Sequence, residues 1–205
     1  MRLYHHPYST NARRAAMAAV ALDAPVERVF VNLSTGEQRK PQYLRMNPGG
    51  KVPLLEDGDF YLSESQAIMQ YLADKTPGQK LYPVDLQARA DVNRWMFWCA
   101  HHFQPTVSIF IWENVIKGLA GAGAPDGREL KRGENLIGDL AQLLDAHLSG
   151  RVWLSGSALS LADLSVAAPL MFMEQAQLPL ARYAHLQAWF ARIQDLDAWQ
   201  KTIPR

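Results

Sequence analysis

Two stretches of this chain set polar groups where they could hold or activate a charged ligand. In NPGGKVPLLEDGDFYLSESQAI, residues 47–68, Pro53 stands directly before an apolar run that reads as a strand. A proline cannot donate to a sheet ladder, so it sits at a strand's first position or on an edge, and its cis form costs only about 0.5–1 kcal/mol. A cis bond here would turn the Val52 backbone outward, where its N–H and C=O would pair with an extended peptide. The plainer alternative is a strand-start proline with nothing bound. Further along, Ser63-Glu64-Ser65 falls where a helix should begin. The free N–H groups and positive end of that helix suit a carboxylate, Ser65 adds a hydroxyl, and Glu64 would pair with an ammonium. The set fits an α-amino-acid head group; the competing reading is a simple helix cap.

The other stretch, HHPYSTNARRAAM, sets Ser9 just ahead of a helix whose first turn is Thr10-Asn11-Ala12. Its hydroxyl and the helix's positive end point to one spot, and taken alone this is an N-cap worth about 1 kcal/mol. SLAD, Ser160 to Asp163, is a capping box with a structural role. The pairs His5-His6 and His101-His102 invite a metal ion. Adjacent histidines, however, diverge by about 100° on a helix and to opposite faces on a strand, and no HExxH or carboxylate cluster accompanies them, so no metal is expected.

The elements that must position these residues change character along the chain. MRLYHH reads as a short strand, STNARRAAMAAVALD as an alanine-rich helix, and VERVFVN as a half-buried strand. After a turn-rich, irregularly helical stretch come VPLLED and FYLS, joined by Gly58-Asp59 as a hairpin, and then the helix ESQAIMQYLADK. Beyond about Thr76 to Asp85 no strand alternation recurs and the rest reads as helices. This predicts an α/β domain over 1–78 and an all-helical domain over 86–205, joined by a Pro/Gly-containing linker.

Composition narrows the function. Lys+Arg 21 against Asp+Glu 20 gives a formal charge of +1, no basic field for nucleic acid or an anionic membrane. No secretory signal pattern is evident, and the most apolar segment, Trp95 to Trp112, carries two histidines, a glutamine and a proline, so it reads as a buried helix whose aromatic residues are mostly core. Cys99 is the only cysteine, which excludes an internal disulfide and any CxxC framework and fits a reducing cytoplasm.

The segments NPGGKVPLLEDGDFYLSESQAIMQYLA, HPYSTNARRA and ALSLADLSVAAPL, with the order of elements, the boundary and the length, resemble the cytosolic glutathione transferase family over essentially the whole chain, in particular bacterial members with a serine-type, phi/theta-like site. The resemblance implies a thioredoxin-like glutathione-binding N-terminal domain, an all-α C-terminal domain, an electrophile site where they meet, and a homodimer, to which Phe60 and Tyr61 are apolar enough to contribute. Carried over by residue, Val52 before the cis Pro53 pairs with the cysteinyl backbone of glutathione and Glu64 and Ser65 hold its γ-glutamyl end. Lys51, Gln38 and Arg39 lie near its glycine carboxylate, with Gln38 neutral where basic residues are usual. Ser9 donates a hydrogen bond to the glutathione sulfur, with Thr10, Asn11 or Tyr8 as alternative donors. A thiol at a helix start ionises more easily than its free value of about 8.5. Tyr8, His102 and Phe103 are candidates to line the electrophile pocket. The implied activity is conjugation of glutathione, as co-substrate and without metal, to small hydrophobic electrophiles in detoxification. The alternatives are a non-catalytic carrier or regulatory partner with the same fold, and a glutathione-dependent isomerase, dehalogenase or peroxidase. The absence of a cysteine near Ser9 disfavours mixed-disulfide chemistry.

Overall fold

Alternation in the first residues builds β1 (Arg2–His5), whose Leu3 is fully buried. The computed structural model describes residues 1–204 and divides them into two units: Met1–Tyr82 with the segment from Gln194 onward, and Pro83–Ile193. In the first unit β1 runs parallel to β2 (Glu27–Phe30) and antiparallel to β3 (Leu54–Asp57), which pairs antiparallel with β4 (Phe60–Ser63). The sheet order is β2-β1-β3-β4, with Tyr4 opposite Leu54 and Leu55 opposite Leu62. Leu54 and Leu55 point to opposite faces of β3 and both are buried, so both faces of the sheet are covered there.

Helix α1 (Thr10–Ala21) connects β1 to β2, and α3 (Ser65–Lys75) follows β4 and packs against α1. The alanines at 12, 15, 16, 18 and 19 are all buried, and their small side chains allow that close approach. Ile68, Met69, Leu72 and Ala73 form the buried stripe of α3 at helical spacing. Tyr71, beside this stripe, is half-buried and donates to Asp57 Oδ2 at 2.7 Å. Between β2 and β3 the chain makes a 3₁₀ turn (Glu37–Arg39) and the short helix α2 (Pro41–Met46), the irregular helical stretch expected there.

The second unit is helical. A continuous helical rod runs from α4 (Leu86–Trp98) through a π-helical turn (Cys99–Phe103), α5 (Gln104–Ile111), a second π turn (Trp112–Ile116) and α6 (Lys117–Leu119). Then come α7 (Gly127–Leu148), α8 (Leu161–Ala167) and α9 (Ala184–Gln194). Helix α8 tightens into a 3₁₀ turn at Ala168–Phe172, where Pro169 lacks an N–H to continue the ladder. Among the described residues no helix is long and apolar enough to cross a membrane, and no group of His, Cys, Asp or Glu is placed to hold a metal.

Two expectations change. The segment after Gln194, assigned to the helical domain, groups with the first unit because α10 (Asp197–Gln200) packs on α1. Buried Arg13 anchors it: its guanidinium lies 3.8 Å from the Trp199 ring and donates to Trp199 O at 3.1 Å and to Thr202 Oγ1 at 3.3 Å. Burial lowers the Arg13 pKa to about 10, which leaves it charged at neutral pH. The aromatic residues of the long rod are also only partly core. Trp95, Phe103 and Phe110 are buried, whereas Phe97 and Trp112 are 55% and 45% exposed.

Candidate active site

The first unit contains a cavity of about 350 Å³ whose wall is made by the start of α1, the loop 47–53, the end of β4 and the start of α3. It brings together Lys51, Val52, Pro53, Glu64 and Ser65, all expected at a ligand site, with Asn11. The Val52–Pro53 peptide is cis. Just before it, the Lys51 carbonyl accepts from the Tyr43 hydroxyl and from Asn47 Nδ2, each at 2.8 Å, and Asn47 Oδ1 accepts from Gly49 N at 3.1 Å. Tyr43 and Asn47 are buried, so these bonds fix the loop from within the fold. Among the described residues no protein group pairs with the Val52 N–H or C=O, so this backbone keeps its hydrogen-bonding capacity for a ligand.

Glu64 occupies φ 69°, ψ 110°, a left-handed conformation that costs a non-glycine residue roughly 1–3 kcal/mol. Such strain persists only where the surroundings impose it, and here it lies on the cavity wall with the Glu64 side chain exposed. No side chain caps α3, so its positive end stays open toward the wall that Ser63, Glu64 and Ser65 form.

Ser9 is half-buried and caps α1: its Oγ accepts from Ala12 N at 3.2 Å. That bond uses an oxygen lone pair and leaves the hydroxyl hydrogen to donate elsewhere. Ser9 is not part of the cavity wall; Asn11, in the first turn of the helix it caps, is. Tyr4 is committed elsewhere. Its hydroxyl donates to Glu56 Oε2 at 2.7 Å, and its pKa is pushed up to about 12, first by burial and then by that bond. Tyr4 therefore stays protonated and braces β1 against β3.

Gln38 and Arg39 lie outside the cavity, on the 3₁₀ turn that abuts the loop at Gly50. Gly50 has φ 56°, and a Cβ there would stand 2.9 Å from Arg39 Nη1 and 3.1 Å from the Gln38 carbonyl, so glycine is what lets the two loops meet. Arg39 is exposed and Gln38 Oε1 is buried without a hydrogen-bond partner.

Residues 1–74 match the family profile "Glutathione S-transferase, N-terminal domain" and residues 129–192 match "Glutathione S-transferase, C-terminal domain". Glutathione S-transferase 3 of Zea mays is 33% identical over 99% of this chain and 93% of its own length. The chain belongs to the glutathione S-transferase family. Glutathione S-transferase theta-2 of Mus musculus is 31% identical over 99% of this chain and 80% of its own. The solved structure of glutathione S-transferase I from mais in complex with an atrazine glutathione conjugate superposes with a TM-score of 0.89, at 29% identity, covering 98% of this chain and 95% of that one. Both units thus have the glutathione S-transferase fold, a four-stranded mixed sheet with helices and an all-helical second part.

The residues expected to line an electrophile pocket in this transferase fold fare unequally. Tyr8 is 56% exposed beside Ser9, and its N–H donates to His6 Nδ1 at 3.3 Å; burial keeps His6 below the ordinary histidine value and so neutral. In the second unit His102 is exposed on a groove of about 470 Å³ between α5 and α7. Phe103 is a correction: it is fully buried and stacks on Trp98 at 5.3 Å, so it packs the core of its own unit.

Tyr43, Asn47 and Arg14 are site-supporting residues that sequence reasoning missed. The first two act on a backbone carbonyl, which has no residue signature. The signal for Arg14 is its spacing of three from Asn11, one helical turn along α1.

Proposed function

We propose that this protein is a serine-type glutathione transferase that ionises glutathione and conjugates it to small hydrophobic electrophiles, as a cytoplasmic detoxification enzyme without a metal. The observation that carries this reading is the cavity that gathers the unpaired Val52 backbone, strained Glu64, Ser65 and the uncapped start of α3 in one place. In this reading the cysteinyl backbone of glutathione pairs with Val52. Its γ-glutamyl carboxylate meets the α3 N-terminus and Ser65, its ammonium meets Glu64, and Lys51 and Arg39 supply positive charge for the glycine carboxylate. The sulfur lies at the start of α1, where Ser9 donates its free hydrogen to it. The thiol proton leaves to solvent, the thiolate forms a carbon–sulfur bond with the electrophile, and a halide or similar group departs with the bonding electrons. Holding both reactants in place and stabilising the thiolate supply the rate. The lactoylglutathione and atrazine-conjugate complexes of structurally similar transferases support this reading.

A purified sample should turn over glutathione with 1-chloro-2,4-dinitrobenzene, saturably in both substrates. Glutathione binding without turnover of any electrophile would leave a carrier, and no binding would remove the reading altogether.

We also infer a homodimer, supported by the exposure of Phe60 (47%) and Tyr61 (41%) on edge strand β4. Sedimentation equilibrium should give about twice the chain mass for wild type, with Phe60→Lys/Tyr61→Lys shifting it to one chain mass. A wild-type monomer at micromolar concentration contradicts the inference.

A further inference from the structure

Arg14 is a charged side chain only 2% exposed, in the middle of an otherwise alanine-rich helix. Its Nη1 donates at 3.0 Å to Asn11 Oδ1 and at 3.0 Å to Ser65 Oγ. One nitrogen therefore ties the start of α1 to the start of α3, and both acceptors are on the cavity wall. A hydroxyl and a carboxamide are each able to donate or accept, but a guanidinium only donates. With a Ser65 lone pair engaged by Arg14, the serine hydrogen is left for a ligand. With Asn11 Oδ1 engaged, the amide is oriented so that Nδ2, a donor, is the group left over. The guanidinium lies beside the starts of both helices, where its positive charge adds to theirs.

We propose that Arg14 is a positioning residue that turns Asn11 and Ser65 into hydrogen-bond donors toward the anionic groups of glutathione. The proposal rests on the reading of this cavity as the glutathione site. Neither a carboxylate nor a thiolate can use an acceptor, so without Arg14 the two side chains are free to present the wrong atom.

The test compares Arg14→Met, which keeps much of the stem, and Arg14→Lys, which keeps the charge but not the planar nitrogen array, with wild type. The readouts are thermal midpoint, KM for glutathione, kcat, and calorimetric binding of S-methylglutathione. The expected result is a KM for glutathione at least tenfold higher in both variants, with kcat changed less than threefold. Adding Ser65→Ala to Arg14→Lys should raise KM by less than twofold, because Ser65 is already no longer held as a donor toward the ligand. Folded variants with wild-type KM, whatever their thermal midpoint, overturn the proposal and leave Arg14 a packing residue. Should Arg14→Met fail to fold, the lysine variant decides. Wild type failing to bind S-methylglutathione or glutathione would instead remove the site reading, and the proposal with it.

Discussion

Replacing Ser9 by alanine is expected to lower kcat/KM for glutathione conjugation by roughly 10- to 150-fold, the equivalent of about 1.5–3 kcal/mol for one hydrogen bond to a charged group. The expectation follows from the geometry of the Ser9 hydroxyl, whose oxygen is engaged by Ala12 N and whose hydrogen remains to be donated. The same substitution removes an N-cap, which by itself costs about 1 kcal/mol of stability. Ser9→Gly separates the two effects, since glycine caps within a few tenths of a kcal/mol of serine. Both variants should lose activity alike while only the alanine variant loses appreciable stability. Steady-state kinetics beside thermal melts read this directly; full activity in both variants would transfer the donor role to Thr10, Asn11 or Tyr8.

Asp163→Ala should be the most destabilising single change in the second unit, at about 3–5 kcal/mol, since several buried donors lose their acceptor at about 1–3 kcal/mol each. Its carboxylate is fully buried and accepts from Leu154 N and Trp189 Nε1, both at 2.9 Å, and from Ser160 N and Ser160 Oγ, both at 3.0 Å. Truncation strands these buried donors, so the loss exceeds that of a capping box alone, about 1 kcal/mol. A change of this size moves the thermal midpoint of a chain this long by roughly 6–20 °C. Material that still folds should bind glutathione with wild-type affinity, because the hydrogen-bond partners of Asp163 are Leu154, Ser160 and Trp189, all within the second unit. A midpoint lowered by less than 3 °C would show that the network relaxes around the loss.

The chain's pattern conveyed the sheet, the two principal helices around it and the helical second half, because alternation and 3.6-residue spacing are local signals. The hairpin at Gly58-Asp59 and the capping box at Ser160 were equally legible, each being a short motif with one geometric solution. Pro53, Glu64 and Ser65 could be read as neighbours because they flank that hairpin, and they line one cavity. What escaped was non-local. The four-residue α10 is too short to show periodicity, and what holds it is Arg13, whose bond to Trp199 spans 186 residues. The resemblance points to Phe103 as a pocket residue only through its place in the middle of the rod, which does not say which face of the rod it occupies. The π turns at Cys99–Phe103 and Trp112–Ile116 each shift the phase of the helix beyond them, so no single 3.6-residue spacing runs the length of the rod. The clamp of Tyr43 and Asn47 on the Lys51 carbonyl is likewise invisible, since its target is backbone.

In the proposed reaction the start of α1 ionises the thiol of bound glutathione. The most direct measurement is the ultraviolet thiolate absorbance of glutathione titrated with pH in the presence of saturating protein. The expected midpoint lies about two units below the free thiol value near 8.5, equivalent to roughly 2.7 kcal/mol in favour of the thiolate. A bound thiol that titrates at its free value would contradict it.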